Sequence, residues 1–483
     1  MTQNMANAIV AVAGAFLSAS VAAEKAPDLR GPLSTAEKIV DRQIDSCVRT
    51  DPSISACTRL LKWGAQSKSA LAIAFYYRAT GYDAQKRYAR AITDYSKAIV
   101  LAPHDANAFL GRGNDYQAQK AYVRAIADYT RAIRLNPKNT AALKNRGSTY
   151  DDEKRYIHAI ADYTDAIRLN PRDAGAFLNR GVVFAGQKDY KRAIADESEA
   201  IRLDPSDAQA FFDRAGAYSE QKDYTRAIAD YSAAIHRNPR YSSAFNNRGM
   251  IYDDQKDYAR AIDDYSMAIF LNLQNASAFN NRGVTHLNQR DFPHAIADYT
   301  AAIQLNPQFA GAFSNRCDAY SRQADYVHAL ADCHEAIRLN PKLLAGFYNL
   351  GAAHAGQKDY AATILDYSQA IRVNPEDASS FLLRGNAYDN RKDYTRAIAD
   401  YDQALRIKPG DTGALLSRAG AYDHHKDYQR AIEDYTAVLR LEPNNPYVLF
   451  NRSTAERYLG RLVDADADKQ SADALFVRLK SKR

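Results

Sequence analysis

The signatures of a catalytic chain are missing from these 483 residues. There is no His-Glu-x-x-His, no Gly-x-Ser-x-Gly and no Gly-x-x-x-x-Gly-Lys-Ser/Thr, so a zinc hydrolase, an elbow-mounted nucleophile and a phosphate loop have no sequence support. The four cysteines contain no Cys-x-x-Cys, which argues against zinc and against a thioredoxin-like motif. The ten histidines are scattered; His158, His294 and His328 share one outward slot, and His424-His425 reads as solvated surface. With no convergent acid, base and nucleophile, the expectation is no enzyme, no cofactor and no metal. A polybasic run is also lacking outside Lys480, Lys482 and Arg483. The net charge of +7 is mild for this length and calls for neither nucleic acid nor an anionic membrane.

Long apolar runs are absent too. The uncharged stretch from Ala8 to Ala23 falls short of the ~20 residues that span a bilayer. Its apolar centre, Ile9 to Leu17, and the small residues Val21-Ala22-Ala23 read as a signal peptide over 1–23, although no Lys or Arg precedes them. That reading places the protein in the periplasm of a bacterium, or secreted. The alternatives are a frayed tail on a cytoplasmic protein or a single anchor, and membrane insertion is not expected beyond that segment.

What is present is repetition. The chain has 33 Tyr against one Trp, as a recurring slot would produce. Pro103, Pro137, Pro171, Pro205 and Pro239 are 34 apart; Leu273 takes the next slot, and Pro307 to Pro443 continue without insertion. With this proline at position 32, twelve repeats begin at 72, 106, 140, 174, 208, 242, 276, 310, 344, 378, 412 and 446. Position 4 is Phe or Leu, and position 8 is small: seven Gly, three Ala, Cys317 and Ser453. Positions 11, 17 and 24 are mostly Tyr; position 20 is Ala except Thr363, and position 27 is Ala except Val438. Positions 4, 8 and 11 share one face of a first helix, and 17, 20, 24 and 27 share one face of a second. Asp in Lys188-Asp189-Tyr190 and Lys256-Asp257-Tyr258 caps the second helix, Asp105, Asn139 and Asp173 cap first helices, and proline ends each second helix. Glycine inside a helix costs roughly 0.5–1 kcal/mol against alanine, so its return at position 8 signals close helix packing.

The pattern Phe-x-x-Arg-Gly-x-x-Tyr, then Ala-x-x-x-Tyr-x-x-Ala-x-x-x-x-Pro, resembles the tetratricopeptide repeat over residues 72 to 479. It departs from the family in lacking Trp at position 4 and in carrying Arg, not Leu, at position 7. The resemblance implies an all-α fold, a right-handed α-solenoid superhelix of helix-turn-helix repeats. The expected layout is a leader at 1–23, an extension with a degenerate hairpin at 24–71, eleven repeats over 72–445, and a degenerate twelfth with a C-terminal cap over 446–483.

Position 7 is Arg in every repeat but the ninth, where Leu350 stands, and position 23 is always Asp. Both lie about eight residues from the hairpin turn, which sets them at one height in antiparallel helices. Charge-assisted pairs such as Arg146–Asp162 and Arg248–Asp264 are expected. The alternative is an arginine row reading an acidic ligand. Leu350 is expected to leave Asp366 alone. Cys317 and Cys333 occupy positions 8 and 24 of one repeat, and Cys47 and Cys57 flank Pro52; each pair is a disulfide if the chain is exported, and a pair of small buried residues if it is not.

In the family the concave surface comes mainly from first helices. Here the middle repeats offer Asn246, Asn247, Asn280, Asn281, Asn315 and Asn349, side chains able to pair with donors and acceptors of an extended backbone. Acids lie nearby (Asp151, Asp152, Asp253, Asp254, Asp389), and Tyr76, Tyr77, Tyr348, Leu382, Leu383 and Leu416 are more apolar. The competing reading is that these Asn satisfy backbone or the neighbouring Arg. Of the Lys, Asn and Arg clamp that holds a terminal carboxylate, only Lys144 matches. The expected function is a scaffold or adaptor binding a protein or peptide, with oligomeric state open. The alternative is a structural or self-associating solenoid acting through convex arginines such as Arg192, Arg226, Arg260 and Arg430. RNA-reading repeats need a basic, aromatic groove, so the acids disfavour nucleic acid.

Overall fold

A computed structural model describes residues 45–48, 54–63 and 67–480. The stretch read as a signal peptide lies outside them. All regular structure among the described residues is helical. No helix among them is long and apolar enough to cross a membrane.

The helix bounds keep the 34-residue period. In repeat 6 the first helix is Ser242–Asp254 and the second Tyr258–Leu271; in repeat 7 they are Ala276–Asn288 and Phe292–Leu305. Each boundary has a local cause. Asp257 caps the second helix of repeat 6 by accepting from the Arg260 amide, and Asp291 does the same in repeat 7 with His294. In repeats 1 to 3 that slot holds Arg87, Ala121 and Arg155, which give no side-chain cap. First helices end in a left-handed residue at position 15, for example Lys256 at φ 60°. Two hydrogen bonds close the turn, Lys256 N to Asp253 O at 2.8 Å and Asp257 N to Tyr252 O at 2.8 Å. Glycine is the usual occupant of such a site, yet here lysine fills most of the turns, with Arg290, Ala324 and Gly460 in the others.

The core is built from the small slots. Ala261 and Ala268 are fully buried, as are Ala295 and Ala302 one repeat later. Tyr265 and Tyr299 are buried between them. Before the repeats, Cys47 is bonded to Cys57 of the short helix Ile54–Lys62, and both pack with Leu60 and Ala74. At the other end, the final helix Leu462–Lys480 buries Ala465 and Ala472. It exposes Asp464, Asp466, Lys469, Gln470 and Asp473 together with Leu462, Val463, Val477 and Leu479. The described residues divide into two compact bodies, one up to Val183 and one from Phe184.

Candidate functional site

The position-7 arginine is a three-way tie. Arg248 donates from Nε and Nη2 to the two Asp264 oxygens at 2.8 and 2.7 Å, and from Nη1 to Ser232 Oγ of the preceding repeat at 2.7 Å. Arg146 does the same with Asp162, at 2.8 and 2.7 Å, and with Thr130 at 3.0 Å. The Arg–Asp pair is present in repeats 1–3, 5–8 and 10–12. The Arg248 guanidinium also lies over the Phe245 and Tyr252 rings, at positions 4 and 11. Bonding to the carboxylate raises its pKa above the ordinary arginine value. The Ser or Thr at position 25 accepts the third bond, and the sequence signal for it was a hydroxyl recurring two residues after the Asp.

Position 8 is where the two helices of a hairpin meet. A Cβ on Gly283 would stand 2.7 Å from Cε1 of Tyr299, the residue at position 24 of the same repeat. In repeat 8 the same two positions are Cys317 and Cys333, joined by a disulfide with Cα atoms 5.5 Å apart. In repeat 4 position 24 is Glu197, fully buried, with both carboxyl oxygens unbonded. Burial pushes that carboxyl up to about 8, so it is mostly protonated at neutral pH. Asp213 rises to about 7 and, in the first body, Asp115 to about 9 and Asp151 to about 6, burial being the main cause in each.

Repeat 9 lacks the arginine, and the expectation that Asp366 stands alone is wrong. His354, at position 11, lies with Nδ1 2.7 Å from Asp366 Oδ2. No guanidinium competes for that carboxylate, since position 7 is Leu350.

The asparagines form a relay along the first helices. Asn281 Nδ2 donates to Asn246 Oδ1 at 3.2 Å, and Asn315 Nδ2 donates to Asn280 Oδ1 at 3.0 Å. Asn349 Nδ2 reaches the Ser314 carbonyl at 2.8 Å, while Asn247 Nδ2 meets Tyr231 Oη at 3.5 Å. In repeats 7, 8 and 9 position 6 thus grips position 5 of the repeat before. Among the described residues, the Asn280 amide nitrogen and the side-chain carbonyls of Asn281, Asn315 and Asn349 take no part in these bonds. Beyond the relay, a hollow of about 110 Å³ is lined by Ala355, Tyr360, Tyr367, Leu383 and Asn386.

The outward arginines are locally neutralised. Arg192, Arg226 and Arg260 pair with the helix-capping Asp189, Asp223 and Asp257 at 2.6, 2.6 and 2.5 Å. No group of three or more His, Cys, Asp or Glu among the described residues is placed to hold a metal ion.

No curated protein matches the chain. Among solved structures it is similar to yeast Tom70, at 14% identity and TM-score 0.42, covering 86% of this chain and 97% of that one. It is also similar to the Cut9–Hcn1 hetero-tetramer of APC/C, at 13% identity and TM-score 0.44, over 87% and 96% of the two chains. A third is YrrB, a TPR protein with an unusual peptide-binding site, at 22% identity and TM-score 0.33, over 38% of this chain and 95% of that one. Family models described as tetratricopeptide repeat match residues 106–139, 145–208, 212–277, 276–309, 348–412 and 412–445. These matches span more than half of the chain, which belongs to the tetratricopeptide-repeat family.

Proposed function

We propose that the chain is a protein-interaction scaffold whose first-helix face in repeats 6 to 9 holds an extended polypeptide segment. The observation that carries this reading is the asparagine relay. Its internal bonds fix the side chains, yet they leave one amide and three carbonyl groups half-buried and unused. A row of fixed donors and acceptors matches the alternating N–H and C=O of an extended main chain. The apolar side chains Leu382, Leu383 and Leu416 and the hollow beside Leu383 would take an adjoining apolar residue. Pairing of Arg192, Arg226 and Arg260 with capping aspartates weakens the reading in which a convex basic face is the working surface. The disulfides Cys47–Cys57 and Cys317–Cys333 support placement outside the cytoplasm.

The test is affinity capture from native extract with the full chain, repeated with Asn247→Ala and Asn281→Ala together. The expected result is loss of the captured protein with an unchanged helical circular-dichroism spectrum. Capture that survives this double change, and is lost with Arg226→Ala and Arg260→Ala, would move the function to the outer face.

A further inference from the structure

We propose that the chain pairs with a second copy of itself through the outer face of repeats 5 and 6, each copy laying an apolar stripe of repeat 6 across the repeat 5 helix of the other. In repeats 3, 8 and 9 the large apolar side chain exposed on the second helix stands alone (Ile157, Val327, Leu365), and single ones are ordinary. Repeat 6 differs. On its second helix Asp263, Met267 and Phe270 follow at spacings of four and three, so they share one face, and Leu273 continues them in the turn beyond. All four are exposed, Phe270 by 75% and Leu273 by 66%. They stand where the repeat usually has other residues: position 22 is mostly Ala, position 29 is mostly Arg, and position 32 is mostly Pro. The usual arginine pairs with an acid three residues before it, as in Asp165–Arg168, Glu199–Arg202 and Glu335–Arg338. Repeats 5 to 7 have no such pair. Their slots 26 and 29 hold Ala233 and His236, Met267 and Phe270, Ala301 and Gln304.

The surface beside the stripe is its complement. The second helices of repeats 5 and 6 are neighbours, with Ile235 packed on the core cluster that holds Ile269. On the repeat 5 helix, Tyr224–Arg237, the same outward slots carry the small Ala229 and Ala233, then His236, and Arg240 follows just past its end. A two-fold contact sets each element against its counterpart with direction reversed. With the axis between these two helices, the repeat 6 helix of one copy runs antiparallel over the repeat 5 helix of the other. Phe270 then stands opposite Ala233, Met267 opposite His236, and Asp263 opposite Arg240. The match is one of shape and of charge: large apolar side chains meet small ones, and an acid meets a cation. Asp263 and Arg240 are both exposed, and neither has an ion pair among the described residues. The symmetry makes the contact twice, so the three apolar side chains are buried in duplicate. Six such side chains fall short of the roughly 1,600 Å² of a standard interface, which suits a weak, reversible pair. The asparagine relay lies on first helices, so this pairing and the polypeptide binding proposed above stand or fall separately.

Sedimentation equilibrium of the full chain reads the mass directly. The native protein should rise from one chain mass toward two between about 1 and 100 μM. Phe270→Arg with Leu273→Pro gives repeat 6 the residues most repeats carry there, so the helical circular-dichroism spectrum should hold while the mass stays at one chain. Ala233→Glu copies Glu199 and Glu335 and should do the same from the receiving side. Asp263→Arg should weaken the pair about tenfold, two exposed ion pairs being lost, and adding Arg240→Asp should restore it. Val327→Arg, on a comparably exposed side chain of repeat 8, should change nothing. A native chain that stays at one mass throughout, a dimer that survives Phe270→Arg with Leu273→Pro, or a dimer lost with Val327→Arg as well would overturn the proposal. So would a monomeric native chain that captures a different protein and loses it in the same double variant, since the stripe would then belong to that protein.

Discussion

Repeat 7 closes its hairpin by laying the Tyr299 ring over Gly283, and ties itself to repeat 6 through Arg282, which bonds Asp298 and Ser266. In repeats 8 and 9 the ring and glycine become a disulfide, and the guanidinium gives way to an imidazole on Asp366. The backbone accepts both, since the helix lengths and turns are unchanged. The geometry of the repeat therefore requires that the two slots be filled and that the position-23 Asp find a nitrogen partner. It does not dictate which chemistry does so. Repeat 7 fills them with a ring over glycine and a guanidinium; repeats 8 and 9 fill them with a disulfide and an imidazole.

The sharpest way to break this comparison is to put the repeat 9 substitution into repeat 6 without its compensation. Arg248→Leu leaves Asp264, only 5% exposed, as a buried carboxylate without a partner. Removing one side of such a pair costs about 3–5 kcal/mol. Stability in an array is a sum of local and neighbour terms, so exchange resolved by repeat is the measure, with a melting curve beside it. Adding Tyr252→His should recover part of the loss in acid and little of it at alkaline pH. Arg260→Ala, on an exposed side chain, should change the melt little. Equal shifts for Arg248→Leu and Arg260→Ala would show that the tie is ornamental.

The disulfide comes next. Cys317 and Cys333 are 16 residues apart, and closing a loop of that size is worth about 3 kcal/mol in the chain-entropy account. Both are fully buried, so reduction requires prior unfolding of repeat 8 in denaturant. The reduced chain should show residues 310–339 opening first. Cys317→Gly with Cys333→Tyr copies repeat 7 and should restore most of the protection. If the reduced chain is as well protected as the oxidised one, the crosslink adds nothing that packing had not supplied.

Much of this was legible in the sequence, for definable reasons. The period exposed the helices because proline, aspartate and the small slots recur without slippage. The proximity of positions 7 and 23, and of positions 8 and 24, follows from equal distance to a turn, a rule needing no side-chain detail. What stayed hidden depends on direction and reach. That Arg248 spends its third nitrogen on the previous repeat needs the inter-repeat angle. That Tyr299 sits on Gly283 needs a rotamer. That His354 turns to Asp366 needs its side-chain direction. The left-handed turn at Lys256 was hidden because lysine is a poor marker for positive φ.

Two glycines in first helices give the smallest and most discriminating effects, because they should shift stability in opposite directions. Gly283→Ala places a methyl group 2.7 Å from the Tyr299 ring, which is itself fully buried and cannot swing clear. Overpacking of this kind costs about 1–3 kcal/mol. Gly420 lies one position further along the equivalent helix of repeat 11, Thr412–His424, and nothing stands within 4 Å of its would-be Cβ. There Gly420→Ala relieves only backbone entropy and should stabilise by about 0.5–1 kcal/mol. Repeat-resolved exchange reads both. A loss at each site would mean that first helices tolerate no added methyl group. A gain at each would mean that the ring at position 24 yields easily, and the contrast between a closely packed Gly–Tyr seam and a covalent one would disappear.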